Sequence, residues 1–195
     1  MKNLKRSDEA SDGELLEGIV EGRPSCFESL YVRYGDRVYR LAIMISGSKN
    51  LAEDATHDTF VYVIEHAKMF NSTRGDSALG WLYGITRNCV RALARGNAKP
   101  SLAFKQELAT RTLTETMGLS CAVTATLPAI VNLDIDQREV VVLCGLQELS
   151  YDVVAEILRV PVGTVRSRLS RARQSLRQSL HSGTGMTFSE ITNEA

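Results

Sequence analysis

The stretch PVGTVRSRLSRAR, Pro161 to Arg173, decides the reading of this chain. Ahead of it runs LSYDVVAEILRV, Leu149 to Val160, which reads as one helix and a tight turn. Together they read as a helix-turn-helix. Its second helix region carries six arginines (159, 166, 168, 171, 173 and 177) and no acid. Val162, Val165, Leu169, Ala172 and Leu176 recur at spacings of three and four, so they form one apolar face. At about 100° per residue, Ser167, Ser170, Arg171 and Gln174 fall opposite, with Arg166 at the edge. Serine, glutamine and arginine can hydrogen-bond to base edges in a major groove. The flanking Arg168, Arg173 and Arg177 suit phosphates. Pro161 suits a first helical turn, where its missing N–H costs nothing.

The rest of the chain sharpens that contrast. It has 195 residues, enough for one or two domains, and 23 basic side chains balance 23 acidic ones. The balance hides segregation. Residues 1–70 carry nine bases and twelve acids, 71–99 five and one, 100–158 three and eight, and 159–177 six and none. Two basic segments separated by an acidic one suggest two separate nucleic-acid contacts. The start, MKNLKRSDEASDGE, has no apolar segment after its lysines, so no signal peptide is expected. Val140 to Leu146, the longest apolar run, is too short to span a bilayer, so we expect a cytoplasmic protein with no membrane insertion. Four cysteines (26, 89, 121 and 144) and three histidines (57, 66 and 181) are scattered without a close pair. Neither a metal site, a cofactor nor a disulfide framework is expected from that pattern.

Helical periodicity dominates. Asp12 to Glu21 reads as a short amphipathic helix, broken by Gly22, Arg23 and Pro24. Ser25 with Glu28 reads as a capping box opening a long helix through Ile45. Its inward face is Phe27, Leu30, Tyr31, Tyr34, Val38, Leu41, Ala42 and Ile45. Leu51 to Met69 is a third helix. Ala52, Phe60, Val63 and Ala67 lie on one side, and Asp54, Asp58, Val61 and Glu65 on the other. Phe70 to Ser77, FNSTRGDS, is a polar loop. A fourth helix, 78–95, turns Trp81, Leu82, Ile85, Cys89 and Leu93 inward and carries Arg87, Arg91 and Arg95 as a basic stripe. Tyr83 falls off the inward stripe, which leaves its ring available for stacking. Short helices are expected at Pro128 to Leu133 and Gln137 to Leu146. The fold class expected is all-α: two small helical domains joined by a linker, the second containing the helix-turn-helix. The divisions are a 1–10 tail, a domain at 11–98, a linker at 99–126, a domain at 127–180 and a 181–195 tail.

Three stretches, AEDATHDTF (Ala52 to Phe60), RGDSALGWLYGITRN (Arg74 to Asn88) and LSYDVVAEILRVPVGTVRSRLSRAR, together resemble bacterial RNA polymerase sigma factors. The similarity is to the small extracytoplasmic-function (ECF) group. The resemblance implies that the third helix docks on core RNA polymerase through Asp54, Asp58, Val61 and Glu65. It implies that the polar loop and fourth helix engage the minus-ten element, with Asn71, Arg74, Asp76, Tyr83, Arg87, Arg91 and Arg95 as contacts. The last helix would read the minus-35 element through Thr164, Arg166, Ser167, Arg168, Ser170, Arg171 and Arg173. The partners implied are core RNA polymerase, promoter DNA and an anti-sigma factor, with the free chain monomeric and no catalysis of its own. Two other readings stand beside this one. A stand-alone helix-turn-helix regulator would need no acidic docking face, and a sigma-like protein that sequesters a regulator would tolerate loss of Arg166 and Arg171.

Overall fold

The computed structural model describes residues 10–70, 77–96 and 128–183; among them every regular element is helical. Contacts divide the chain into two units. One holds Met1–Ala42 with Leu51–Gly96, the other Ile43–Asn50 with Asn97–Ala195. The expected linker and most of both expected tails lie outside the described residues.

The first unit is built from α1 (Asp12–Val20), α2 (Pro24–Ser46, whose last turn belongs to the other unit), α3 (Lys49–His66) and α4 (Ala78–Gly96). A 3-10 turn, Ala67–Met69, ends α3. A capping box opens α1: Ser11 accepts from the Glu14 backbone N–H, and Glu14 accepts from that of Ser11 at 2.7 Å. The box expected at Ser25 and Glu28 is absent, because α2 starts one residue earlier, at Pro24. Proline has no N–H to satisfy there and its φ is already helical. Asp12 ties α1 to α2, accepting from Arg33 at 2.7 Å and from the Tyr34 hydroxyl at 2.6 Å. Burial, followed by the Asp12 carboxylate, pushes the Tyr34 phenol up to about 12, so that bond persists across ordinary pH. Gly18 lets the two helices meet: a Cβ there would collide with the Cys26 sulfur. The core collects Leu15, Leu16, Leu30, Val38, Phe60, Val63 and Leu82. Phe27 and Tyr31 pack on Phe60 with ring centroids 6.1 and 4.7 Å away.

The second unit carries a helical turn at 128–131, then α5 (Ile135–Val141), which widens into a π-turn at Val142–Leu146. It continues with α6 (Tyr151–Leu158) and α7 (Val162–Gly183), which extends three residues into the expected tail. Ser150 caps α6. Arg159 ends it in the left-handed region at φ 53°, with its N–H bonded to Glu156 O and that of Val160 to Ala155 O. This paired pattern makes the tight turn of the helix-turn-helix. Pro161 then stands just before α7, its carbonyl accepting from the Thr164 and Val165 N–H groups. Val165, Leu169, Ala172 and Leu176 are buried, as their spacing required; Val162 is half-buried.

One polar group organises the interior of this unit. Arg138 is 6% exposed, and its guanidinium donates to the carbonyls of Ile45 (2.6 Å), Leu133 (2.9 Å) and Val131. Desolvation lowers its pKa to about 10, which still leaves it charged at neutral pH. Three carbonyls, one at the end of α2 and two at the end of the 128–131 turn and just after it, are thus gathered by one side chain. Arg138→Leu should therefore destabilise the second unit by about 3 kcal/mol or more. Urea unfolding of the full chain checks this; an unchanged midpoint would show that water replaces the guanidinium.

Candidate nucleic-acid interface

The outward half of α7 is polar throughout. Arg166, Ser167, Ser170, Arg171, Arg173 and Gln174 are exposed, and Thr164 is half-buried at the start of the helix. The buried seam opposite them fixes which side chains point out. The Ser167 hydroxyl donates to Thr164 O at 3.0 Å, which leaves its lone pairs to accept from a base amino group. The Arg166 guanidinium carbon stands 6.0 Å from the centre of the Tyr151 ring in α6, a cation–π approach that restrains this arginine. Arg168 departs from expectation. Its guanidinium lies 2.7 Å from the Asp136 carboxylate, with side-chain exposures of 22% and 41%. It has a protein partner where a DNA phosphate was expected. Asp136 lies 32 residues away in sequence, on α5, and no local pattern announces the pair.

In the first unit, α3 brings Asp54, Asp58, Val61 and Glu65 onto one exposed face, as expected. The sequence reading missed what surrounds them. Ile64 is 53% exposed and Met69 62%, and Tyr62 is also outward, with His66 stacked on its ring at 4.0 Å. The face is therefore mixed acidic and apolar, a composition that favours a partner over solvent. The signal for Ile64 was present in its phase on the helix, beside Val61 and Glu65, but the sequence reading assigned it to neither face.

On α4 the stripe of Arg87, Arg91 and Arg95 is found on one side, the first two half-buried and Arg95 exposed. Tyr83 is a correction. Its side chain is 0% exposed, and burial raises its phenol to about 12. The buried sector of α4 is turned toward Tyr83, Thr86 and Val90, leaving Trp81 half-buried against Phe70 at 5.6 Å. Thr86 explains the rotation. Its hydroxyl donates to Leu82 O, that of Thr59 donates to Ala55 O, and the two oxygens lie 3.3 Å apart in the α3–α4 seam. A self-satisfied threonine is buried without penalty, although a sequence pattern counts it as polar. Arg37 and Arg40 of α2 lie close enough to act on the Tyr83 phenol, which adds positive charge beside α4 that the sequence reading did not assign. Asn71, Arg74 and Asp76 lie outside the described residues.

Among the described residues no group of three or more histidine, cysteine or acidic side chains could hold a metal. No described helix is long and apolar enough to cross a membrane. Cys89 and Cys144 are half-buried, and burial raises both thiols.

A helix-turn-helix in one unit, with an acidic-apolar face and a basic stripe in the other, defines the class: a helical DNA-binding protein with a further surface for a protein partner. Comparison with known proteins agrees. The family description "Sigma-70 region 2" matches residues 30–99, and "Sigma-70, region 4" matches residues 127–176. The ECF RNA polymerase sigma factor SigE of Mycolicibacterium smegmatis is 33% identical over 188 residues, covering 91% of this chain and 70% of its own. Among solved structures, CnrH in complex with the cytosolic domain of CnrY aligns with a TM-score of 0.66 at 24% identity, over 89% of this chain and 99% of that one. The sigma factor RpoE in complex with the anti-sigma factor NepR from Bartonella quintana aligns with a TM-score of 0.61 at 24% identity, over 81% and 98%. At that identity the solved structures bear on the fold. This chain belongs to the ECF RNA polymerase sigma factors. Its activity is promoter-specific transcription initiation with RNA polymerase.

The buried position of Tyr83 separates two outcomes. Tyr83→Phe should change promoter opening less than about twofold, whereas Tyr83→Ala should cost about 3–5 kcal/mol of stability in thermal unfolding. A large opening defect in Tyr83→Phe, with normal stability, would restore a DNA role to this residue.

Proposed function

We propose that the outward face of α7 reads the minus-35 element as duplex DNA, while the α3 face docks on core polymerase. The carrying observation is that α7 buries its apolar half and presents serine, glutamine and arginine on the other, with no acid. Arg171 and Ser170 suit base edges, and Arg173 suits the backbone. Asp54, Asp58, Val61 and Glu65, joined by Ile64, suit a partner surface that is basic and partly apolar. Arg87, Arg91 and Arg95 hold the strand at the minus-ten element, with Asn71, Arg74 and Asp76 in the preceding loop. Phe70 and Trp81, in contact with each other and half-buried, are better stacking candidates than the buried Tyr83. The division of labour follows the expected domains, 11–98 and 127–180, with 99–126 as linker. The protein works in the cytoplasm, catalyses no reaction and takes an anti-sigma factor as a partner; the structurally similar RpoE of Bartonella quintana is in complex with one. The stand-alone regulator is not favoured, since it leaves the match to region 2 unexplained.

Asp58→Lys should weaken binding to core polymerase several-fold, with the loss shrinking as salt rises, while leaving the fold intact. A pull-down titration at several salt concentrations reads this, and equal affinity throughout would remove the α3 face from the interface. In the holoenzyme, Arg171→Ala should cost about 1–3 kcal/mol on promoters with the favoured base and relax preference at one minus-35 position. Arg173→Ala should weaken all sequences alike. Uniform losses for both would leave α7 as a backbone grip without base reading.

A further inference from the structure

We propose that Asp136 stands in for a DNA phosphate, holding Arg168 on the protein so that α7 grips the backbone from its other flank and binds DNA with one phosphate contact fewer. The inference rests on the reading of α7 as the minus-35 helix. Relative to the buried seam of Val165, Leu169, Ala172 and Leu176, the arginines of α7 sort onto two sides at about 100° per residue. Arg168 and Arg171 take one side, and Arg166, Arg173 and Arg177 the other. The first side faces α5, where Asp134 to Gln137 line one shallow groove with Arg168 and Arg171. The second includes Arg166, restrained over Tyr151 of α6.

The Asp136 carboxylate, 2.7 Å from the Arg168 guanidinium, offers what a phosphate oxygen offers: a charged acceptor at short range. A DNA phosphate at that place would have to displace it and would then face a carboxylate of like charge. An arginine already neutralised by its neighbour releases no net counterion from DNA, so it adds nothing to the salt-dependent part of binding. Phosphate contacts strengthen every sequence alike. Withholding one therefore lowers affinity for every sequence by the same factor and leaves the preference to the base contacts of Arg171 and its neighbours. Asp136 thus sets the overall grip and its salt dependence without touching a base.

The test uses the full chain with core polymerase on fragments carrying matched and altered minus-35 elements, with affinity measured across salt. Arg173→Ala should reduce the salt slope by about 0.9. Arg168→Ala should lower the slope too, because it leaves the Asp136 charge uncompensated beside the DNA. Asp136→Asn should steepen it by about 0.9 and tighten matched and altered fragments alike, the gain being about 3.5-fold larger at 50 mM than at 200 mM salt. The double variant Asp136→Asn with Arg168→Ala should return to the unsubstituted slope. An unchanged slope or weaker binding in Asp136→Asn would overturn the proposal, leaving Asp136 as a support for α5 or for a DNA-bound Arg168. If Asp136→Asn does not fold, Asp136→Ser takes its place: the same gain in slope is expected, and an unchanged slope overturns the proposal. If Arg171→Ala and Arg173→Ala both leave binding unchanged, the reading of α7 fails first, and the proposal with it.

Discussion

The buried seam of α7 is the constraint on which the second unit depends. Val165, Leu169, Ala172 and Leu176 must leave water, and they do so against α5 and α6. Packing those side chains sets the rotation of the helix about its axis, because a helix has only one face to bury. Once rotation is set, the outward residues have no choice of direction. Arginine and serine are presented because leucine and alanine are hidden. The left-handed Arg159 is part of the same arrangement, since it lets the chain turn within three residues and lay α7 across α6.

Buried polar groups do the complementary work. Arg138 collects three carbonyl ends, Asp12 accepts two hydrogen bonds from α2, and Thr59 and Thr86 satisfy themselves on their own helices. Each permits a close approach of backbone or helix that apolar packing alone would leave with unpaired groups. The exposed charges are distributed differently. On α3 the acids share their face with Val61, Ile64 and Met69, whereas α7 carries arginine without any acid on the same helix. A mixed acidic-apolar surface and an unmixed basic one suit different partners. A protein can bury apolar area against the first, and a phosphate backbone offers charge to the second.

The helices, their order and the helix-turn-helix were legible in the sequence, because apolar recurrence at three and four residues reports directly which side of a helix avoids water. The acidic stripe of α3 and the basic outward face of α7 followed from that same arithmetic. The misreadings have specific causes. Ser25 looked like a cap because serine and glutamate stood at the right spacing, yet Pro24 could open the helix without one. Tyr83 looked exposed because the apolar stripe was drawn through Trp81, Ile85, Cys89 and Leu93, while the real seam includes a threonine whose hydroxyl is already satisfied.

What the sequence by itself determined is everything periodic: the all-helical class, the amphipathic faces, the segregation of charge and the motifs that carry the family. What only the tertiary structure decided is everything set by distance between remote positions. The rotation of α4 depends on how Thr59 and Thr86 pack. The buried role of Arg138 depends on carbonyls as far away as Ile45. The withdrawal of Arg168 depends on an acid 32 residues earlier. The physical reason is range. Helix periodicity arises from hydrogen bonds four residues long and is written locally, whereas hydrogen bonds and ion pairs form at about 3 Å wherever the fold brings partners together.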